Sequence, residues 1–228
     1  MPCTISRWSR LPLGAETGFV ASLDPLLRPF ELKGVTLRNR VVSTSHEPAY
    51  AEEGMPKDRY RHYHLEKARG GVGLTMIGGS AVVSPDSPPA FGNLLLYKDE
   101  IVPWLQRLTE DVHAAGAAVM CQVTHLGRRT SNYTADWLPV VYASPLREPA
   151  HRSFPKTAEP WDLDRIVDDY VSAAERCVAA GLDGIELESY GHLLDGFLSE
   201  VNEAAHRLGA RHGRSALAFT LAVAEKNA

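Results

Sequence analysis

The sequence predicts an α/β fold in which helices cover a parallel β-sheet. Three observations support this: short apolar segments alternate with amphipathic ones, the apolar segments are too hydrophobic to expose one face to water, and glycines close the amphipathic segments. Right-handed crossovers then leave two main arrangements, a doubly wound open sheet or a barrel. The pattern alone does not decide between them.

Apolar periodicity and the residues at segment ends define the individual elements. Pro103 suits the first turn of a helix and Gly116 the position just after it, and Asp162 complements the positive end of another helix. The predicted elements are, in chain order, a strand at Arg40–Ser45, a helix at Pro56–Arg69, a strand at Val72–Ile77 ending at Gly78-Gly79, a helix around Ile101–Val112, a strand at Ala117–Val123, a helix between Asp162 and Gly181, and a strand at Leu182–Leu187.

Two connections are longer than the usual loops of such folds. Ser80–Lys98 and Leu126–Pro160 both follow the carboxyl end of a predicted strand. In parallel α/β folds this end of the sheet carries the functional site, so the long loops indicate ligand binding. Purely decorative surface loops are the alternative.

Composition excludes several functional classes. The 228 residues are 44% apolar and 23% charged with a net charge of −4, which gives no sign of nucleic acid or an anionic membrane as a partner. Three scattered cysteines are typical of reduced thiols, and no metal site is predicted. No run reaches the roughly 18 apolar residues of a membrane helix. We expect a cytoplasmic protein whose residues 1–22 form a disordered extension.

Four short motifs follow one another in the order found in one enzyme superfamily. Each lies at the end of a predicted strand, which makes the set far more specific than any single motif. They are Leu37-Arg38-Asn39-Arg40, Gly70-Gly71-Val72-Gly73-Leu74, Gln122-Val123-Thr124-His125-Leu126-Gly127-Arg128 and Ala179-Ala180-Gly181-Leu182-Asp183-Gly184-Ile185-Glu186-Leu187. With these motifs the chain resembles the old yellow enzyme superfamily of NADH:flavin oxidoreductases over residues 24–199. Within the superfamily, Ser45-His46-Glu47 most resembles the branch that contains trimethylamine dehydrogenase and the N-methylproline and dimethylglycine demethylases.

The resemblance implies an incomplete (β/α)8 TIM barrel of about four βα units after an N-terminal hairpin. Residues 23–228 would be the N-terminal half of an FMN-binding barrel. Residues 200–228 depart from the family pattern, and we expect a frame slip to have replaced the family motif at about residues 200–216. Strands five to eight would be missing, so we expect this chain alone to bind FMN weakly or not at all.

The resemblance also implies which residues hold FMN. Thr44, Ser45 and His46 would lie against the flavin at the end of the first strand, and Gly78 would let the flavin approach closely. The Gln122 amide would both donate to and accept from the pyrimidine edge, and a buried glutamine that simply satisfies its own hydrogen bonds is the alternative. The covalent cysteine of trimethylamine dehydrogenase is replaced by Glu47, so FMN should be non-covalent. The iron–sulfur cluster and second dinucleotide site of longer relatives are expected to be absent.

The substrate side of the site is less clear from the pattern. Glu188 replaces the usual histidine of the family and is expected to contact FMN or substrate, where a carboxylate would stabilise an amine cation. A salt bridge within the barrel is the alternative. Tyr190 and His192 are the other catalytic candidates. His125 and Arg128 are expected near the substrate, although Arg128 could instead hold its loop through backbone carbonyls.

These residues predict an FMN-dependent oxidoreductase that oxidatively demethylates an N-methylated amine or amino acid. The alternatives are a reductase of activated alkenes that uses NAD(P)H, or an inactive truncated product of either type. An unrelated barrel lyase that uses Glu188 and His192 as acid and base has only their proximity in its favour. The expected partners are a small-molecule substrate and either a second copy of the chain or a complementing C-terminal half.

Overall fold

The chain begins with a small antiparallel hairpin. In this computed structural model the described residues are 24–90, 92–130 and 139–199. A 3₁₀ turn at Pro25–Leu27 leads into β1 (Phe30–Leu32) and β2 (Val35–Leu37), which pair with Glu31 opposite Thr36. The predicted N-terminal hairpin is therefore present.

Four βα units follow the hairpin. The strands β3, β4, β5 and β8 form one parallel sheet in that order, which is also their order along the chain. A barrel has this consecutive order, whereas a doubly wound sheet reverses direction at its switch point. The elements are β3 (Val42–His46), α1 (Asp58–Arg69), β4 (Leu74–Val82), α2 (Val102–Ala114), β5 (Ala118–Thr124), β6 (Val141–Tyr142), β7 (Lys156–Thr157), α3 (Pro160–Ala179), β8 (Gly184–Leu187) and α4 (Leu193–Leu198).

The helix ends have the local causes that the sequence suggests. Pro103 lies in the first turn of α2, and α3 begins with a capping box in which Glu159 and Asp162 each accept a backbone N–H at the other's position. Gly116 and Gly181 follow α2 and α3 at φ +79° and +77°, a conformation that stops a helix and favours glycine. The chain therefore turns into the next strand within a few residues.

The core lies between the sheet and its outer helices. Leu105 and Leu108 of α2 and Ile166 and Tyr170 of α3 are fully buried against the apolar side chains of β5. Each fully buried side chain of this size contributes about 1.5–3 kcal/mol. This packing holds the sheet in place and so positions the ends of its strands.

Strand β4 is longer than the sequence predicts. The prediction ended it at Gly78-Gly79, but pairing continues to Val82 across a register irregularity between Ile77 and Ala81. The glycines are needed because β3 passes so close: a Cβ on Gly78 would lie 2.1 Å from Ser45 Cβ. They mark a bulge inside the strand, and the prediction of a strand end was wrong.

The two long loops are packed against each other. Ser84, Asp86 and Ser87 in the loop after β4 are buried. The Leu126 backbone N–H donates to Ser87 Oγ at 2.8 Å. The second loop also contains β6 and β7, a two-stranded parallel pair that was not predicted. The described parts of both loops therefore belong to the packed structure at the carboxyl ends of the strands.

Two segments named in the sequence analysis, the predicted extension at residues 1–22 and the divergent segment 200–228, lie outside the described residues. None of the helices in the described ranges has the length and apolar character needed to cross a bilayer.

Candidate active site

A cavity of about 310 Å³ lies at the carboxyl ends of the parallel strands. This is the location that the long loops and the strand motifs predict. Polar and charged side chains dominate its wall, which is contributed by the ends of β3, β4, β5 and β8 and by the loops after β5 and β8. The lining residues are Ser45, His46, Glu47, Gly79, Gln122, Arg129, Glu188, Tyr190 and His192.

The Gln122 side chain lies at the centre of this wall and is almost completely buried. Its Nε2 donates to Ser45 Oγ at 2.9 Å and to Glu186 Oε2 at 3.3 Å, and its Oε1 accepts the Gly79 backbone N–H at 3.2 Å. The amide thereby connects β3, β4, β5 and β8. These bonds fix its orientation, which a recognition group needs.

The residues predicted at the end of β3 do not all reach the cavity. Ser45 and His46 line it, whereas Thr44 is exposed and lies outside the lining. Gly78 is buried and also lies outside the lining, and the steric reason for glycine there is the approach of Ser45. The glycine that does line the cavity is Gly79.

The three candidates after β8 all line the cavity, but their surroundings differ. Glu188 Oε1 accepts the Tyr190 backbone N–H at 3.0 Å, and the Tyr190 side chain is 80% exposed at the open side. His192 is buried, with Nδ1 at 2.9 Å from Thr124 Oγ1. Burial, with the positive charge of Arg129 and the neighbouring His125, lowers the His192 pKa to about 4. This imidazole is therefore neutral at pH 7.

His125 does not line the cavity, contrary to the expected substrate contact. It is fully buried, its Nε2 lies 2.9 Å from Asp86 Oδ1, and its backbone N–H donates to the Tyr170 hydroxyl at 2.8 Å. Burial alone would raise the Asp86 pKa, but hydrogen bonds from His125 and Ser84 and the charge of Arg165 hold it well below its ordinary value. The pair joins the loop after β4 to the end of β5.

Arg128 also points away from the cavity. Its Nη1 donates to the Leu146 carbonyl at 3.3 Å, and its guanidinium lies 4.9 Å from the centre of the Tyr142 ring. Arg128 therefore holds its loop through a backbone carbonyl, which was the alternative to a substrate contact, and it does not line the cavity. The next residue, Arg129, lines the cavity in its place. The Arg128-Arg129 pair in the sequence was the available signal for this second arginine.

In the sequence, Glu47 stands out only as the replacement of a cysteine. In the structure it is an acid of the cavity whose pKa is raised. Its Oε1 accepts the Ala49 backbone N–H at 2.8 Å. Burial raises the Glu47 pKa to about 7, and the hydrogen bond from Ala49 offsets this only in part. No sequence motif signals such a shift because it depends on desolvation by other segments.

A second cavity of about 360 Å³ lies at the opposite ends of the strands, between the hairpin and the sheet. Apolar residues such as Leu37, Leu74 and Met120 form much of its wall. Within the described ranges, no group of three or more His, Cys, Asp or Glu side chains could hold a metal ion. The polar cavity at the carboxyl ends therefore remains the better candidate for chemistry.

Solved structures share this arrangement. The old yellow enzyme homologue from Zymomonas mobilis superposes with a TM-score of 0.75 at 20% identity, covering 89% of this chain and 60% of that one. At this identity the likeness shows the fold alone. The fold class is that of the old yellow enzyme type TIM barrel, of which the described residues form four βα units, and the fold prediction is confirmed.

Sequence relatives identify the family. "Probable N-methylproline demethylase" of Rhizobium meliloti is 62% identical over 178 residues, 78% of this chain and 26% of the relative. "Multifunctional alkene reductase/demethylase OYE" of Caballeronia cordobensis is 49% identical over the same length, 78% of this chain and 26% of the relative. Residues 25–226 match the model of the NADH:flavin oxidoreductase / NADH oxidase family, and the chain belongs to that family. It spans about a quarter of the length of these two relatives.

Proposed function

We propose that this chain supplies the substrate-facing half of an FMN-dependent oxidoreductase that demethylates an N-methylated amine or amino acid. The observation that carries this proposal is the cavity wall itself, where the Gln122 amide and two acidic side chains, Glu47 and Glu188, face the same space. Family membership supports the flavin. The relatives named as demethylases support the amine.

The residues of the cavity fit a flavin ring. Both Nε2 hydrogens of Gln122 are bonded to Ser45 and Glu186, and among the described residues one Oε1 lone pair is free, so the amide would accept from the pyrimidine edge as it stands and would donate to it by exchanging one of these partners. Glycine at position 79 keeps the wall free of a side chain next to it. Ser45 and His46 would add contacts from the end of β3. FMN supplies a hydride acceptor when bound. Because Glu47 stands where a thiol would be needed, and the cavity lining contains no cysteine, we propose that FMN is held without a covalent bond.

The charges of the cavity suit an N-methylated amino acid. The Glu188 carboxylate near the open side would stabilise the ammonium of such a substrate. Arg129 would pair with its carboxylate through a planar guanidinium that favours bidentate contacts. His192 would stay neutral near pH 7 and would be held by Thr124, so it can donate or accept one hydrogen bond without adding charge.

We propose that the barrel is completed by a C-terminal half or a second copy of the chain. Among the described residues, β3 and β8 each pair with a strand on one side only. An edge strand presents a row of unpaired backbone N–H and C=O groups that can pair with another segment. The described sheet has four parallel strands, and a C-terminal half would supply the further strands of an eight-stranded barrel.

The test is to mix the purified chain with the C-terminal part of the Rhizobium meliloti relative's barrel and add FMN. We expect flavin binding, followed by flavin reduction on addition of N-methylproline or N,N-dimethylglycine. The relative named as both alkene reductase and demethylase makes alkene reduction the second candidate. NAD(P)H-driven reduction of cyclohexenone without reduction by either amine would favour that candidate and contradict the amine proposal.

A further inference from the structure

One acidic side chain of the cavity lacks a complete set of partners. Glu47 Oε1 accepts the Ala49 backbone N–H, but Glu47 Oε2 is buried without a hydrogen-bond partner among the described residues. The surroundings are tight, since a Cβ on Gly79 would lie 1.8 Å from Glu47 Cβ. A buried polar atom without a partner is uncommon in folded proteins and calls for a functional or structural reason.

No described cation compensates the charge of this carboxyl. Burial dominates its environment, and the only favourable contact that lowers its pKa is the backbone N–H of Ala49. Behind the wall, burial raises the pKa of Tyr60 well above its ordinary value, and a hydrogen bond with Cys177 together with burial does the same for Cys121, so both groups stay neutral. The other titratable or charged groups around the cavity are His46, Arg129, Glu188, Tyr190 and His192.

The two acids of the cavity therefore differ. Glu188 already accepts a backbone N–H from the exposed Tyr190 and lies near the open side. Glu47 lies next to β4 at the end of β3, where burial removes it from solvent and no described residue supplies a counter-charge. Its carboxyl is half protonated at about pH 7, which is the pKa that burial imposes. A cation that enters the cavity would favour the ionised form.

Resting on the proposed function, we propose that Glu47 is a second, proton-exchanging counter-ion of the substrate amine beside Glu188: it holds a proton in the free site and releases it when a cationic nitrogen enters the cavity. The step is a proton transfer only. The O–H bond of the neutral carboxyl breaks, the proton leaves to solvent, and the carboxylate remains opposite the ammonium. No electrons move, and the reverse step follows when the ligand departs.

The inference has a thermodynamic consequence for binding. Below pH 7 the carboxyl must lose its proton before it can act as a counter-ion, so the affinity for a cationic amine should fall about tenfold per pH unit until the pH reaches the lower midpoint of the ligand-bound site. Above pH 7 the carboxylate is already formed and the affinity should level off. A ligand of the same shape without the positive nitrogen should show no such dependence on Glu47.

The experiment is a carboxyl ¹³C NMR titration of the full chain, labelled at glutamate and mixed with FMN and with the unlabelled C-terminal part of the Rhizobium meliloti relative's barrel. The Glu47→Gln variant identifies the Glu47 resonance, and Glu188→Gln is the matched control for the other acid. The two ligands are N,N-dimethylglycine and 3-methylbutanoate, which has the same shape and carboxylate but no nitrogen. We expect the Glu47 resonance to titrate at about pH 7. N,N-dimethylglycine should lower that midpoint by about one unit or more, in wild type and in Glu188→Gln, and 3-methylbutanoate should not lower it.

The possible failures are distinguishable. A Glu47 midpoint near the ordinary value of 4.5 in the free chain would overturn the inference and leave the proposed function standing. The same holds if N,N-dimethylglycine perturbs the Glu188 resonance but leaves the Glu47 midpoint unchanged. If N,N-dimethylglycine perturbs neither the Glu47 nor the Glu188 resonance, the proposed substrate class fails, and the amine role of Glu47 fails with it.

Discussion

Replacement of Asp86 by asparagine tests whether His125 is part of the structure or part of the substrate site. Asp86 is buried in the loop after β4, where it accepts from His125 and from Ser84 Oγ at 2.6 Å and forms an ion pair with Arg165. Asparagine has nearly the same shape but no charge. The substitution therefore removes the electrostatic part of the network with little change in packing.

The magnitude follows from the burial of the partners. Breaking a buried ion pair by removing one partner costs about 3–5 kcal/mol. His125 is fully buried, but the Arg165 side chain is 41% exposed and water screens its share. We therefore expect Asp86→Asn to lower the free energy of unfolding by about 3 kcal/mol. Since the Asp86 pKa is depressed in the folded state, this difference should persist at neutral pH and shrink as the pH falls below the ordinary carboxyl pKa of 3.8.

Urea unfolding of the full chain, followed by circular dichroism, measures this difference. The matched control is Glu66→Gln, which removes an acid from the exposed pair with Arg69 and should change stability by no more than about 0.5 kcal/mol. A loss below about 1 kcal/mol for Asp86→Asn would refute the reasoning, because the network would then contribute no more than a surface pair.

Three further predictions concern other parts of the structure. Glu47→Gln should raise the free energy of unfolding by about 2 kcal/mol at pH 8 and by very little at pH 4. The reason is that the raised Glu47 pKa makes the wild-type chain lose stability as the pH rises from 4.5 through about 7. Equal effects at both pH values would contradict this. In urea unfolding, Gly78→Ala should lower the free energy of unfolding by about 2–3 kcal/mol because its Cβ would overlap Ser45. Gly34→Ala, at φ +91° with open space around it, should lower it by only about 1 kcal/mol. Equal losses would argue against crowding at Gly78. In calorimetric titration of the chain mixed with FMN and the C-terminal part of the Rhizobium meliloti relative's barrel, Arg129→Ala should weaken binding of N,N-dimethylglycine about tenfold or more, whereas Arg128→Ala should leave the affinity within about twofold. The opposite ranking would contradict the placement of these side chains.

The helices and strands could be predicted from sequence because their signals are local, whereas the choice of a barrel over a doubly wound sheet depended on the resemblance to a known family. Each apolar run and each helix end, such as Pro103 and Gly116, depends on residues a few positions away. The extent of β4 could not be predicted in this way. Gly78 and Gly79 are glycines because β3 approaches them, and this contact joins segments more than thirty residues apart. Read locally, the same two glycines indicate the end of a strand.

The candidate site was predicted in part for the same reason. Gln122 and Glu188 follow from the strand positions of their motifs, because the ends of parallel strands meet at one edge of the sheet. The direction of His125 depends on Asp86, 39 residues earlier, and Arg128 is held by Leu146, 18 residues later. The Glu47 pKa depends on desolvation by the surrounding fold. Motif spacing carries none of this information.

The central claim is that the carboxyl ends of β3, β4, β5 and β8 form a flavin site organised by Gln122. The most direct measurement is the FMN dissociation constant, from flavin fluorescence, of the chain mixed with the C-terminal part of the Rhizobium meliloti relative's barrel. Gln122→Leu should weaken FMN binding about tenfold or more through the lost hydrogen bonds, whereas Arg128→Ala should remain within about twofold of wild type. Equal FMN affinity for wild type and Gln122→Leu, or no FMN binding by the mixture, would contradict the claim.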